Sequence, residues 1–355
     1  MKTALILFGG ISSEHEVSLN SAKSVIENVP QDKYELILVG ITKDGRWLKY
    51  DGDVSLLPDD KWLEDEKNLT PAIISVDRAD HGIIVFGEKT EKIRVDVVFP
   101  VLHGRNGEDG AIQGLLQVAG IPFVGCDMLS SACCMDKCIT NTLADNANIL
   151  QAKWLGLKEY EYNQNKAYFI EKAAKYLGFP IFVKPANEGS SVGVSKATDN
   201  ASLERAIEIA FNEDSKLVLE EGIIGKEVEC AVLGNENPIA SVVGEIVPAN
   251  DFYDYEAKYI NAASELHIPA RISEEKANEV RFAAINVYKS LGCTGLTRVD
   301  FFVRESDGAV MLNEPNTIPG FTKISMYPKL FAASGISYGD LIDKLFQYAI
   351  DKWEK

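Results

Sequence analysis

Apolar residues gather near the N-terminus into an unbroken run, Thr3–Phe8 (TALILF), which Gly9-Gly10 ends. A run without alternation reads as a buried strand. Glu35–Thr42 and Val95–Leu102 (VDVVFPVL) are further strands, and between the first two the pattern predicts a helix capped at Ser18 or Asn20 and ending near Val29. Strand, glycine turn and helix in succession predict a parallel α/β sheet whose ligand lies beyond the strand C-termini. Two polar loops fall at those ends, SSEHEVS (Ser12–Ser18) and HGRNGEDG (His103–Gly110). Residues 46–92 are charged and irregular, and read as an insertion to which no function attaches.

Near Cys126 the pattern changes. Leu129–Ala147 is predicted as one helix carrying Met135-Asp136-Lys137, followed by a helix at Tyr168–Leu177 and a strand at Ile181–Lys184. The turn Asn187–Gly193 (NEGSSVG) precedes an amphipathic helix, Ala201–Phe211, and a strand, Lys216–Glu220. Two more strands, Glu227–Leu233 and Ser241–Ile246, lead into the polar connection Val247–His267. Ser273 caps a long helix to Leu291, and Tyr338–Trp353 is the last helix.

Between those helices Thr297–Gly320 (TRVDFFVRESDGAVMLNEPNTIPG) alternates like two strands around Ser306-Asp307-Gly308. Val299, Phe301 and Val303 share one face, and Arg298, Asp300 and Phe302 the other. A hairpin closing around Asp307 sets Asp300 across from Glu314 and Arg298 across from Asn316. Two carboxylates and an amide so placed repel one another unless a cation joins them, and an oxygen-only set suits a hard ion such as Mg²⁺. The alternative is a pair of solvated acids on a surface strand. Lys184 ends a strand five residues before Gly189-Ser190-Ser191, a loop small enough to bring backbone N–H groups onto a phosphate. Lys137 and Lys258 are further candidates for phosphate charge, and no GxxxxGK[ST] sequence is present.

Composition narrows the partners. The 355 residues are 46% apolar and 25% charged, which fits a globular chain of two or three domains. Fifty-three acids against 36 bases give −17, which argues against nucleic-acid binding by general electrostatics. No apolar run approaches a membrane span, and Thr3–Phe8 is too short for a signal peptide. The six cysteines lack metal-site spacing and read as small buried hydrophobes in a cytoplasmic protein.

Taken together, HGRNGEDG, MDK, VKPANEGSSVGV, the Glu220-Glu221 strand end, FYDYEAKY, GLTRVDFF and LNEPNTIPGFT resemble the D-alanine–D-alanine ligases of the ATP-grasp superfamily. The resemblance runs in one order from Phe8 to Gly335. It implies an α/β ATP-grasp fold of three domains, with a Rossmann-like N-terminal sheet at 1–126 and nucleotide held between α+β subdomains at 127–220 and 221–355. It also implies ATP and two Mg²⁺ ions, replaceable by Mn²⁺, D-alanine as substrate and a homodimer. Lys137, Lys184 and Lys258 would meet phosphates, with Ser190 and Ser191 in the covering loop. Glu220 would take the adenine amino group, the Glu221–Ile223 backbone would line the base, and Glu227 would hold the ribose. Asp300, Glu314 and Asn316 would ligate the metals. Glu16 would pair with the first D-alanine's ammonium, His103 would lie near its carboxylate, and Tyr259 would turn its hydroxyl to Glu16 and Ser190. Arg298 and the Gly320 N–H would face the developing oxyanion, and Ser325 and Met326 the second D-alanine's carboxylate. Relatives that use D-serine as second substrate remain open as an alternative. Pro315, between two metal ligands, departs from the family's aliphatic residue, so either the strand is an edge there or the amide at that position is unpaired throughout the family.

Overall fold

The opening apolar run becomes strand β1 (Lys2–Gly9), which pairs in parallel with β2 (Tyr34–Ile41) on one side and β7 (Val97–Pro100) on the other. The computed structural model describes residues 1–247 and 265–354. Ala4, Ile6 and Phe8 face one side of the sheet, against Leu19, Ala22 and Val25 of helix α1 (His15–Asn28). Leu5 and Leu7 face the other, against Ile112 and Leu116 of α2 (Ala111–Ala119). Helix α1 starts ahead of the expected cap at Ser18 or Asn20. The Ser18 hydroxyl is buried and spent elsewhere, accepting the Gly9 N–H at 2.7 Å and donating to the Val101 carbonyl.

Residues 46–92 are not an irregular insertion. They supply β3 (Trp47–Tyr50), β4 (Leu69–Ile74), β5 (Gly82–Phe86) and β6 (Thr90–Arg94), which extend the sheet antiparallel in the order β6-β5-β4-β3-β2-β1-β7. The strands are short, and only one face of each is covered: Leu48 and Tyr50 are buried, Lys49 is not. Strand β6 is mostly exposed and charged, as befits an open edge. Trp62 is fully buried from the segment between β3 and β4, edge-on to Phe8 at 5.2 Å and Tyr50 at 5.8 Å.

The helix expected over 129–147 is two helices, α3 (Met128–Met135) and α4 (Lys137–Asn146). Asp136 leaves helical geometry at ψ 103°, and its carboxylate accepts the N–H groups of Cys138 and Ile139, a capping role that Asp performs well. Beyond them β8 (Trp154–Lys158), β9 (Ile181–Pro185), β10 (Ser195–Ala197) and β11 (Lys216–Glu221) form an antiparallel sheet in the order β10-β9-β11-β8. After α5 (Glu159–Gln164), helices α6 (Lys166–Leu177) and α7 (Asn200–Ala210) cover it through Ile170, Leu177, Leu203 and Ile207.

A third sheet, also antiparallel, runs β14-β13-β12-β15-β16 from β12 (Gly225–Gly234), β13 (Ile239–Val247), β14 (Glu265–His267), β15 (Gly295–Arg304) and β16 (Val310–Asn316). Helix α8 (Glu274–Ser290), capped by Ser273 as expected, packs Val280, Ala284 and Val287 against Val228, Val299 and Phe301. Helices α9 (Met326–Ala333) and α10 (Tyr338–Trp353) return to the first sheet and complete its core with Leu330, Leu341 and Phe346. All six cysteines are free, and five of them are buried.

Candidate active site

The hairpin closes in the expected register, Arg298 opposite Asn316 and Asp300 opposite Glu314. An irregularity after Asp300 leaves Asn313 as the extra residue of β16, and β16 is the sheet edge, so Pro315 costs the ladder no hydrogen bond. On the other side of β15, Glu229 of β12 stands opposite Asp300. Three acids, Glu229, Asp300 and Glu314, therefore lie in a row across three strands. Arg298 offsets them: its Nε donates to Asp300 Oδ1 at 2.8 Å and its Nη2 to Oδ2 at 2.7 Å.

The second and third sheets face each other across a cavity of about 420 Å³. The second sheet contributes Lys184 and Glu220, the third Glu227, Asp300 and Glu314. Lys184 pairs with Glu220 at 2.7 Å, and Asn141 donates to the same carboxylate at 3.1 Å. Burial would lower the Lys184 pKa, but the carboxylates of Glu220, Glu314 and Glu227 outweigh it and hold the ammonium above the usual lysine value. Lys137 enters from the start of α4 and donates to the Glu188 carbonyl at 2.7 Å. Ser190 and Ser191 sit at φ +50° and +60°, left-handed conformations in a tight turn that the Val192 N–H closes onto the Gly189 carbonyl at 3.1 Å. Glu221 spends its carboxylate on the Lys153 N–H, and Ile223 lines the cavity wall.

A second cavity, about 330 Å³, adjoins the first. It shares Lys137, Ser190, Glu229 and Glu314 with it and adds Arg298, Asn316, Gly320, Ser325 and Met326. The Ser325 hydroxyl accepts the Thr322 N–H at 3.0 Å and would meet a Cβ placed on Gly320 at 2.8 Å, so a side chain there would displace that hydroxyl. Glu14, in the turn that leads into α1, enters this cavity, and no motif in the sequence singles it out. It is 5% exposed and accepts the Ser190 hydroxyl. Glu16, two residues along and on the opposite side of α1, lines neither cavity and pairs with Lys43 at 2.6 Å. His103 is buried behind the site, its ring nitrogens each 3.0 Å from Ile318 O and Ser21 Oγ, and burial lowers its pKa. Glu108 of the same loop lines the cavity instead. Burial, and then the charge of Glu14, push its carboxyl up to about 8. Lys258 and Tyr259 lie outside the described residues.

Two antiparallel sheets clasping a cleft, with lysines and a glycine–serine loop on one side and a row of acids on the other, define an ATP-grasp ligase. Similarity over the full chain narrows the class. Residues 3–126 match the model of the D-ala D-ala ligase N-terminus and residues 143–347 that of the C-terminus. The chain belongs to the D-alanine–D-alanine ligase family. It is 50% identical to the D-alanine–D-alanine ligase of Caldicellulosiruptor bescii, over 98% of this chain and 94% of that one. It is 48% identical to the ligase of Acetivibrio thermocellus, over 99% and 96%. Among solved structures, VanG D-Ala:D-Ser ligase from Enterococcus faecalis superposes with a TM-score of 0.90 at 42% identity, covering 98% of this chain and 99% of that one. The D-alanine–D-alanine ligase of Coxiella burnetii does so with 0.86 at 33%, covering 100% and 96%. No helix among the described residues is long and apolar enough to cross a membrane.

Proposed function

We propose that this chain joins two D-alanine molecules into D-alanyl-D-alanine for peptidoglycan precursor synthesis, cleaving ATP to ADP and phosphate. The observation that carries the reading is the adjacency of the two cavities, with Lys137, Ser190 and Glu314 on their common wall. A nucleotide in the first would present its terminal phosphate to a carboxylate in the second. That transfer makes an acyl phosphate, which the amine of a second D-alanine attacks.

The residues divide the work. Lys137 and Lys184 bring positive charge to the phosphates, and the Ser190–Ser191 loop covers them with N–H and hydroxyl donors. Glu220 and the Glu221–Ile223 backbone take the adenine, and Glu227 the ribose. Glu14, rather than Glu16, takes the first substrate's ammonium, because it alone of the two reaches the cavity. Arg298 and the Gly320 N–H face the oxygen on which charge grows, a role worth roughly 10²–10³ in rate per donor. Ser325 and Met326 meet the second substrate's carboxylate. His103 fixes the loop that carries Glu108.

Asp300, Glu314 and Asn316 suit Mg²⁺ or Mn²⁺. The Asn316 amide is satisfied when its nitrogen is the atom facing Glu108 Oε1 at 3.0 Å and Ile318 O at 3.3 Å, which leaves its oxygen for a cation. Bound there, such ions would neutralise charge on the transferring phosphoryl group. The chain divides for this work at 1–126, 127–220 and 221–355, and it acts in the cytoplasm as a homodimer.

The likeness to a D-Ala:D-Ser ligase gives a second reading, in which D-serine is the incoming amine. Met326 is 5% exposed and apolar, and such a wall discriminates weakly against one added hydroxyl. The test is phosphate release with ATP, Mg²⁺ and D-alanine, against mixtures that add D-serine or D-lactate and against L-alanine. Dipeptide from D-alanine alone supports the reading. Equal turnover of L-alanine, or none of D-alanine, overturns it.

A further inference from the structure

We infer that Glu229 is a positioning residue that takes over Arg298 when Asp300 turns to the metal. The inference rests on the roles proposed above for Asp300 and Arg298.

Those two roles conflict. Both oxygens of Asp300 accept hydrogen bonds from the Arg298 guanidinium, at 2.8 and 2.7 Å. A divalent cation on the same carboxylate would repel the guanidinium and compete for its lone pairs. Arg298 is 15% exposed at its side chain and Asp300 7%, so a guanidinium pushed off Asp300 with no other acid beside it would be a costly buried charge.

Glu229 resolves the conflict by its place in the sheet. It stands on β12 directly across from Asp300, its side chain is 5% exposed, and its Oε2 lies 3.1 Å from Arg298 Nε. That nitrogen carries a single hydrogen, which points to Asp300 at 2.8 Å. Two carboxylates thus compete for one N–H, and a tilt of the guanidinium transfers it from Asp300 to Glu229 without moving Arg298 out of the site. Glu229 also lines both cavities, so it acts at the boundary where phosphoryl transfer takes place. Its charge frees Asp300 for the cation and keeps Arg298 facing the oxyanion.

Mn²⁺ binding followed by electron paramagnetic resonance, with β,γ-imido-ATP present and no turnover, tests this. Glu229→Gln keeps the volume and removes the charge, leaving Arg298 to Asp300 alone. Mn²⁺ affinity should fall about tenfold, in the range of coupling between contacting residues. In an Arg298→Met background the same substitution should change affinity by less than about twofold, because the competitor is gone. At saturating metal, Glu229→Gln should lower kcat while leaving KM for ATP and D-alanine unchanged, and Glu229→Asp should restore part of the loss. If Arg298→Met does not fold, Arg298→Lys, which lacks the fork, should shrink the Glu229→Gln effect in the same direction. An equal loss of affinity in both backgrounds would make Glu229 a metal ligand and overturn the inference, as would no loss in either. Mn²⁺ binding that survives Asp300→Asn in otherwise wild-type protein would instead refute the metal site itself.

Discussion

The Ser190 hydroxyl donates to the Glu14 carboxylate, tying the glycine–serine loop to the start of α1 across 176 positions of chain. Glu14 is buried there, whereas Glu16 makes an exposed pair with Lys43. A charge-assisted hydrogen bond to a buried carboxylate is worth about 1.5–3 kcal/mol, an exposed ion pair about 0–1 kcal/mol. Glu14→Gln should therefore lower kcat/KM for D-alanine by roughly 10–100-fold, and Glu16→Gln by less than about threefold. Steady-state phosphate release compares them, and the reverse order would return the ammonium site to Glu16.

Asp300 holds a buried guanidinium as well as facing the nucleotide cavity. Mutual repulsion of the acids alone would let Asp300→Asn stabilise the metal-free protein. The bidentate pair with Arg298 decides otherwise. Asp300→Asn should abolish dipeptide synthesis and also cost about 1–3 kcal/mol of unfolding free energy, read by urea denaturation. A gain in stability would mean that repulsion prevails.

The hairpin was legible because strand alternation and one turn fix a register, and with it the facing of Asp300 and Glu314. Glu14 was legible too, had helix periodicity been applied to the loop ahead of the predicted cap. Glu14 continues back from α1 the row of buried Ser18, Ser21 and Val25, whereas Glu16, Asn20, Lys23 and Glu27 lie on the outer face. Asp136 hides in a helical pattern because the residues on both sides of it favour helix. Only the competition of its carboxylate for the Cys138 and Ile139 N–H groups breaks the run. Strands β3–β6 were missed for another reason. They are four to six residues long and half exposed, too short for a period to show, and their pairing is set by the rest of the sheet.

Glu245 offers a pH signature away from the metal ligands. Its carboxylate accepts Arg271 Nε and Nη2, each at 3.0 Å, and the Arg271 N–H at 2.8 Å, with Lys226 3.2 Å away. The Arg271 hydrogen bonds outweigh burial and lower its pKa from 4.5 to about 2. The folded value lies below the unfolded one. The stabilisation is therefore complete above about 4.5 and is lost as pH falls through about 2. Glu245→Gln should lower stability at neutral pH and flatten its decline between those values. Parallel curves of unfolding free energy against pH for variant and wild type would contradict the assignment.

Trp62 gives residues 46–92 a structural reason for their length. Its ring is fully buried against Phe8 and Tyr50, and a Cβ on Gly40 would lie 2.3 Å from it, so β2 carries glycine where the indole crosses the sheet. The indole N–H donates to Asp60 Oδ1 at 3.2 Å, and the same oxygen lies 2.9 Å from His15 Nε2. His15 in turn has Nδ1 2.7 Å from the Gly10 carbonyl and is the neighbour of Glu14. The segment thus both fills the core and braces the turn that aims Glu14 into the cavity. Trp62→Ala should cost about 3–5 kcal/mol, the usual range for deleting a buried ring. Trp62→Phe keeps most of the packing and loses the bond to Asp60, so it should cost less while raising KM for D-alanine more than KM for ATP. Urea denaturation and initial rates on the two variants separate these effects. A loss below about 1 kcal/mol for Trp62→Ala would show that the segment only drapes over the sheet.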